Sequence, residues 1–498
     1  MPRCVVVVLA VLIPLVCVPA PAAGLPRSVP EAQGMSSADL LAFVEALDAA
    51  GDAAKADGVH SVMVVRRGHV VAEGWWAPYT PDLRHQLYSL SKSFTSTAVG
   101  IAVAEGKLRV DDPVLGFFPD EAPAEAAAHL KAMRVADLLR MATGHQTEPP
   151  RAPADSWVRQ FLGHPVPFKP GTHFLYNTAA TYMQSAIVQK ATGEKLLDYL
   201  APRLFRPLGI EGATWEESPE GISTGGYGLS IRTEDIATFG QLLLRRGTWE
   251  GRQLVPAEWI EAATSRQVAN GSSPTSDWDQ GYGYQFWRCR HGAFRGDGAF
   301  GQFCIVLPRE DAVVAITSGT RDMQRILDIA WKHLLPAFRP VPLPADEAAH
   351  AALVERLAAL HVPLPAAAPP AGIVGRRFRF DANPAGLATI GIEPGTEGAP
   401  HTLVIASRGD SEPRRIPCGP DRWRPADVAW PGMPGPAAVA VGGDATEAVV
   451  RICFVETPFV ATLRLAPDAD TVKLRGGMNV GFGATGLPEL VGRPVAGE

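Results

Sequence analysis

The stretch Tyr88-Ser89-Leu90-Ser91-Lys92-Ser93-Phe94-Thr95 sets a serine and a lysine three residues apart at the start of an apolar-periodic segment. Phe94, Ala98, Ile101 and Ala102 recur at helical spacing, so Ser93–Glu105 is expected to be a helix with a buried stripe. A three-residue step puts the Lys92 ammonium on the same side as the Ser89 hydroxyl. A serine hydroxyl is a weak nucleophile until a neighbour removes its proton, and a helix N-terminus favours the negative charge that follows. The same tetrad also fits a plain helix start with a solvated lysine, so taken alone it leaves both readings open.

Two later segments give it company. Phe174-Leu175-Tyr176-Asn177-Thr178 runs directly into a helical pattern over Ala179–Ala191. A tyrosine beside a lysine has its phenolate favoured by the opposite charge, which is expected to lower its pKa and make Tyr176 a base toward Ser89. Gly298-Ala299-Phe300-Gly301-Gln302 lies on an expected edge strand. Small residues there let backbone amides approach a substrate carbonyl and form an oxyanion hole with the Ser89 amide. Taken singly, the tyrosine also reads as a core residue and the glycine run as a turn.

Around these segments the periodicity changes in a telling order. Val59–Val65 and Val70–Trp75 are β-branched runs joined by Arg66-Arg67-Gly68-His69, a hairpin. Helical spacing then dominates, at Ala38–Ala50 before the hairpin and at Val135–Met141 and Thr233–Arg245 after it. Strands return at Tyr282–Arg288, Gln302–Leu307 and Val313–Thr317, followed by a helix near Ile326–Leu335. Strands at both ends with helices between imply an α+β fold, one antiparallel sheet covered by helices. Residues 341–372, rich in Pro and Ala around a short helix, read as a semi-rigid connector. Residues 373–498, with short alternating runs punctuated by Gly and Pro, read as a separate β-rich domain.

The chain has 498 residues and a net charge of −6, with no basic surplus to neutralise phosphates, so nucleic acid is not an expected partner. Arg3, the apolar run Cys4–Val18 and the small residues Ala20-Pro21-Ala22 are the pattern of an export signal over residues 1–23, implying a secreted or periplasmic protein. Of the cysteines beyond it, Cys289 with Cys304 and Cys418 with Cys453 are the local pairs for disulfides; four buried free thiols are the equal alternative. No metal-binding spacing occurs, and no cofactor is expected. Two G-x-G-x-x-G matches, Gly296–Gly301 and Gly481–Gly486, lack the following helix that a dinucleotide site needs and read as turns.

As an ordered set these residues resemble the beta-lactamase-related serine hydrolases, a group that includes class C beta-lactamases, DD-peptidases, esterases and 6-aminohexanoate-dimer hydrolases. Supporting stretches are Leu138–His145, Leu208-Gly209-Ile210, Asp235–Gly247 and Gly281–Trp287. The likeness spans about Pro30 to Leu335, within a hydrolase domain set at residues 30–340, and stops short of the C-terminal part. It implies the α/β sandwich of the beta-lactamase/transpeptidase-like fold. It also implies a catalytic set of Ser89 as the acylated residue with Lys92 and Tyr176. Asn177, Thr178, Arg295, Gly298, Phe300 and Gln302 fall where the family binds substrate.

Two departures stand out. Thr178 occupies the asparagine position of the Tyr-x-Asn motif, and the Lys-Thr-Gly or His-x-Gly strand motif is missing, with Arg295-Gly296-Asp297-Gly298 near its place. The expected activity is therefore cleavage of a small ester, amide or peptide through an acyl-serine, with efficient beta-lactam hydrolysis disfavoured. The alternative is a catalytically weak, penicillin-binding-like protein of the cell envelope, with the C-terminal domain carrying envelope association.

Overall fold

The computed structural model describes residues 24–396, 398–428 and 435–495. The expected export signal lies outside the described residues. Helix α1 (Ser37–Asp48) precedes the hairpin β1 (Gly58–Arg66) and β2 (His69–Trp75); α2 (Ser91–Ala104), α3 (Thr178–Thr192) and α4 (Thr233–Leu244) follow. The chain then returns through β3 (Trp287–Arg288), β4 (Phe294–Gly298), β5 (Gln302–Leu307) and β6 (Ala312–Gly319). These strands join in the order β2-β1-β6-β5-β4-β3, all antiparallel, so the last strand in sequence sits at the centre beside the first.

Both faces of this sheet are covered, which explains its near-continuous apolar runs. Side chains alternate between two cores: Met63, Val65, Cys304, Val306, Val313 and Ala315 join the helical layer that holds α2, α3 and α4. Val62, Val64, Phe303, Ile305, Val314 and Ile316 face α1 and the helix Met323–Ile329. Helix α2 is buried all round from Ser91 to Ala102, beyond the single stripe its sequence suggests. Its hydroxyls find acceptors or donors in neighbouring loops: Ser93 donates to Gln285 O (2.9 Å), Thr95 to Gly225 O (2.8 Å), and Ser91 Oγ accepts from Leu229 N (3.1 Å). Each such bond adds about 1 kcal/mol and removes the larger cost of a buried orphan hydroxyl. Phe94 stacks on Phe239 of α4 with ring centroids 3.9 Å apart, locking the helix in register.

One expectation changes, and the open choice between disulfides and free thiols is decided. The strand expected at Tyr282–Arg288 shrinks to Trp287–Arg288. Gln285 is held at a φ of +68°, which ends extended pairing and turns its amide into the α2 side of the core, where it donates to Leu138 O and Leu139 O. Within 341–372, the short helix α5 (Glu347–Ala358) packs against α1 and β2 through Leu353 and Leu357. All four cysteines are free thiols. Both expected pairs are split between cores: Cys304 faces the helical layer and Cys289 the opposite face, while Cys418 lies inside the C-terminal domain and Cys453 at its seam with the sheet.

From Arg376 to Pro494 the described chain forms a ten-stranded antiparallel sheet whose two edge strands, Arg414–Cys418 and Arg424–Ala426, approach each other to give a nearly closed barrel. Its interior is aliphatic, with Ile390, Leu403, Val439, Val450 and Leu463 fully buried. The barrel core also takes in Phe300, with Tyr88 and Ala299 packed against it. The domain thus reaches the segments on either side of Ser89.

Candidate active site

Ser89 sits in a single 3₁₀ turn, Tyr88–Leu90, that feeds α2. Tyr88 is held at a φ of +48°, a left-handed conformation unusual for a bulky side chain. Such outliers persist only where surrounding structure over-determines them, commonly at functional sites. Leu229 N, reaching Ser91, and Gly298, lying against Leu87, supply that enforcement; a Cβ on Gly298 would stand 2.0 Å from Leu87 O.

The structure brings Ser89, Lys92, Tyr176 and Thr178 together. Lys92 Nζ lies 3.1 Å from Ser89 Oγ, 3.3 Å from Thr178 Oγ1 and 2.6 Å from Gly226 O, and 5.1 Å from the centre of the Tyr176 ring. The Ser89 hydroxyl is close enough to the Tyr176 phenol to act on its ionisation, lowering its pKa. Tyr176 is aimed by stacking on Trp287 of β3 (5.3 Å between centroids) and by an edge contact with Tyr282.

Burial decides the protonation of this group. Lys92 is fully buried, and desolvation lowers its pKa from 10.5 to about 7; Glu148 raises it and Arg151 lowers it by smaller amounts, with Asp297 adding a weak upward pull. Tyr176 moves the other way. Burial pushes its phenol well above the ordinary range, the Asp297 charge adds to this, and the Ser89 hydroxyl offsets only part. The expectation that the lysine depresses the tyrosine is therefore reversed. Desolvation outweighs the attraction, favouring the neutral amine of Lys92 and the protonated phenol of Tyr176. A neutral amine has two N–H donors and one lone pair. Gly226 O and Thr178 Oγ1 can take the donors, leaving the lone pair for the Ser89 proton.

Facing Ser89 is the β4–β5 turn. The single Ser318 hydroxyl proton is shared between Phe300 O (2.7 Å) and Gly301 O (2.8 Å), Thr320 N donates to Phe300 O (3.1 Å), and Gln302 Nε2 donates to Ala299 O (3.0 Å). The carbonyls of the turn are thus fully engaged on its inner side. The amides of Ser89, Ala299 and Phe300 have no protein acceptor among the described residues. Phe300, like Tyr88, is held at positive φ (+67°).

The remaining candidates for substrate contact divide. Thr178 and the Gly298–Phe300 turn border the nucleophile. Gln302 is buried and spends its amide on Ala299 O and Ser318 O, which makes it a brace of the turn. Asn177 is buried and caps α3, its Oδ1 accepting from Ala180 N at 3.1 Å. Arg295 is 0% exposed. Its guanidinium pairs with Asp297 (2.9 Å), donates to Asp277 O (2.8 Å) and lies over the Trp278 ring, so it offers no cation to a substrate carboxylate. The sequence reading gave no role to Asp297 or to Gly226. For Gly226 a signal was present in Gly225-Gly226-Tyr227-Gly228, since a Cβ there would stand 2.6 Å from Thr178 and 3.3 Å from Lys92 Nζ. No cluster of residues suited to a metal ion occurs among the described residues.

Comparison with known proteins places this geometry in context. A family model described as Beta-lactamase matches residues 42–335. The 6-aminohexanoate-dimer hydrolase of Paenarthrobacter ureafaciens is 28% identical over 286 residues, 52% of this chain and 72% of that protein. The D-aminopeptidase of Brucella anthropi is 29% identical over 164 residues, 30% of this chain and 32% of that protein. Among solved structures, a penicillin-binding protein homologue from Caulobacter crescentus aligns at 19% identity with a TM-score of 0.48, over 59% of this chain and 97% of that one.

Proposed function

The chain belongs to the beta-lactamase family, whose members include serine hydrolases of amides, peptides and esters, and from that premise we propose that it cleaves a small linear amide or ester through an acyl-Ser89 intermediate. The observation that carries this reading is the buried Lys92 amine, with its pKa lowered to about 7 and its nitrogen 3.1 Å from the Ser89 hydroxyl.

In the proposed sequence, Ser89 Oγ bonds to the substrate carbonyl carbon as its proton passes to Lys92 Nζ. The carbonyl oxygen becomes an oxyanion held by the Ser89 amide and by those of Ala299 and Phe300. Collapse breaks the C–N or C–O bond, and the leaving amine or alcoholate takes a proton relayed from Lys92 through the Tyr176 phenol. Water then attacks the acyl ester, giving its proton to Lys92, and the acid departs as Ser89 recovers its own. The chemistry asks for no metal or organic cofactor.

With Arg295 enclosed, a penicillin carboxylate lacks a cation on β4, so nitrocefin is expected to be a far poorer substrate than a simple ester. Export, and envelope association through the barrel, are carried as proposals on the N-terminal pattern and the added domain. The test is active-site labelling: a fluorophosphonate should add one phosphonyl group to the mature protein, mapped to Ser89 by peptide mass and abolished in Ser89→Ala. A wild-type protein that stays unlabelled and hydrolyses no ester or amide overturns the reading in favour of a binding protein.

A further inference from the structure

Aromatic side chains of the barrel pack against the residue before Ser89 and against the β4–β5 turn. Tyr88 meets Phe300 edge-on at 5.4 Å between centroids, and both rings meet Phe482, at 5.6 Å and 4.9 Å. Phe459 closes the group, 5.8 Å from Phe300 and 6.4 Å from Tyr88. Tyr88 is the residue before the nucleophile, and Phe300 belongs to the turn that offers the second oxyanion amide. Both backbones are held in the left-handed region, so both rings are aimed by enforced geometry.

The two barrel rings differ in a way that matters. Phe459 is 9% exposed, as an interface packing residue should be, whereas Phe482 is 78% exposed despite its contacts with Tyr88 and Phe300. Phe482 rides on Gly481-Phe482-Gly483-Ala484-Thr485-Gly486, the glycine run that no nucleotide explains. The base of that loop is pinned: Met478 N donates to Thr485 O (2.9 Å) and Leu487 N to Gly476 O (2.7 Å). Asn479 ties it across to the hydrolase sheet, donating to Gly319 O at 3.1 Å beside the Phe300 turn. Beneath it lies an apolar cavity of about 320 Å³ lined by Phe459, Leu463, Met478, Val480, Phe482 and Leu487. That is room for an aromatic ring.

We propose that Phe482 and Phe459 of the barrel, with Tyr88 and Phe300, form a substrate subsite for an apolar, aromatic-sized group next to the scissile carbonyl. The subsite makes the C-terminal domain a specificity element of the hydrolase. This inference rests on the acyl-enzyme reading above and adds the class of substrate. A flat group entering between the exposed face of Phe482 and the cavity gains stacking and apolar burial that a methyl group cannot.

The test uses the full mature chain and four esters, pairing acetyl or phenylacetyl with methanol or benzyl alcohol, in wild type, Phe482→Ala and Ser89→Ala. The expected result is a wild-type preference in kcat/KM for the aromatic group on at least one side of the ester. In Phe482→Ala that preference ratio falls at least tenfold, with the circular dichroism and melting curve unchanged. Ser89-dependent turnover whose preference ratio survives in Phe482→Ala, or that shows no aromatic preference in wild type, overturns the subsite and leaves the hydrolase standing. Turnover absent in wild type, or equal in Ser89→Ala, overturns both.

Discussion

Two basic side chains of the hydrolase domain, Lys92 and Arg295, lie fully enclosed, and they have come to opposite ends. Arg295 faces Asp297 at hydrogen-bond distance and remains charged: burial acts to lower its pKa, and the Asp297 charge with the Cys289 contact more than offsets it. Lys92 has a carbonyl and two hydroxyls for partners and no carboxylate in contact, so burial lowers its pKa to about 7. Equal burial thus produces a structural ion pair in one place and an amine with a lowered pKa in the other. What separates them is whether a counter-charge was buried alongside. Guanidinium chemistry adds to the difference, since Arg stays protonated wherever it is placed and an amine does not.

The sharpest way to break this comparison is to remove the amine. Lys92→Met is expected to lower kcat/KM by about 10³-fold or more, the scale of a lost general base acting on a nucleophile. Near-normal turnover in that variant removes Lys92 from the chemistry. Arg295→Met should cost about 3–5 kcal/mol of stability by stranding Asp297 in the interior, read as a lower denaturation midpoint. Lys92→Met should move stability in the opposite direction, by about 1–2 kcal/mol, because it relieves an unpaired buried cation. That gain should be largest below about pH 7 and fade as pH rises toward 10.5, since over that window only the unfolded lysine is protonated.

Tyr176→Phe keeps the ring stacked on Trp287 and deletes only the proton carrier; a loss of about 10²-fold in kcat is expected. In wild type, kcat/KM should rise with pH through a midpoint near 7, as proton loss creates the active amine. A profile flat across neutral pH contradicts the assignment of Lys92 as base. The smallest effect belongs to Thr178→Val, which removes one acceptor from Nζ; a change of up to about tenfold in kcat/KM is expected, with a displaced pH limb.

The linear pattern of the chain carried much of this architecture. Near-continuous β-branched apolar runs located β1, β2, β5 and β6, because a strand buried on both faces can hardly be written otherwise. The short step from Ser89 to Lys92 placed their side chains together, since helical geometry is local. Tyr282–Arg288 misled because its aromatic content signals strand propensity, while the φ of Gln285 answers to a hydrogen bond made to residues far away in sequence. The cysteines left two readings open, and the buried free thiols are the one that holds, for a related reason. Nearness along the chain says nothing about which face of a sheet each thiol occupies.

Residue order determined that a hydroxyl, an amine and a phenol were available, that a sheet would form from both ends of one domain, and that a β-rich tail would follow. Folding alone decided how those groups ionise, because pKa depends on solvent exclusion and on distant charges such as Glu148 and Asp297. It likewise decided that Arg295 would be sealed with Asp297, and that Phe482 would stand beside Tyr88 although nearly four hundred residues separate them. Local geometry can be read from neighbours in the chain. Desolvation and long-range apposition exist only once the chain has closed around them.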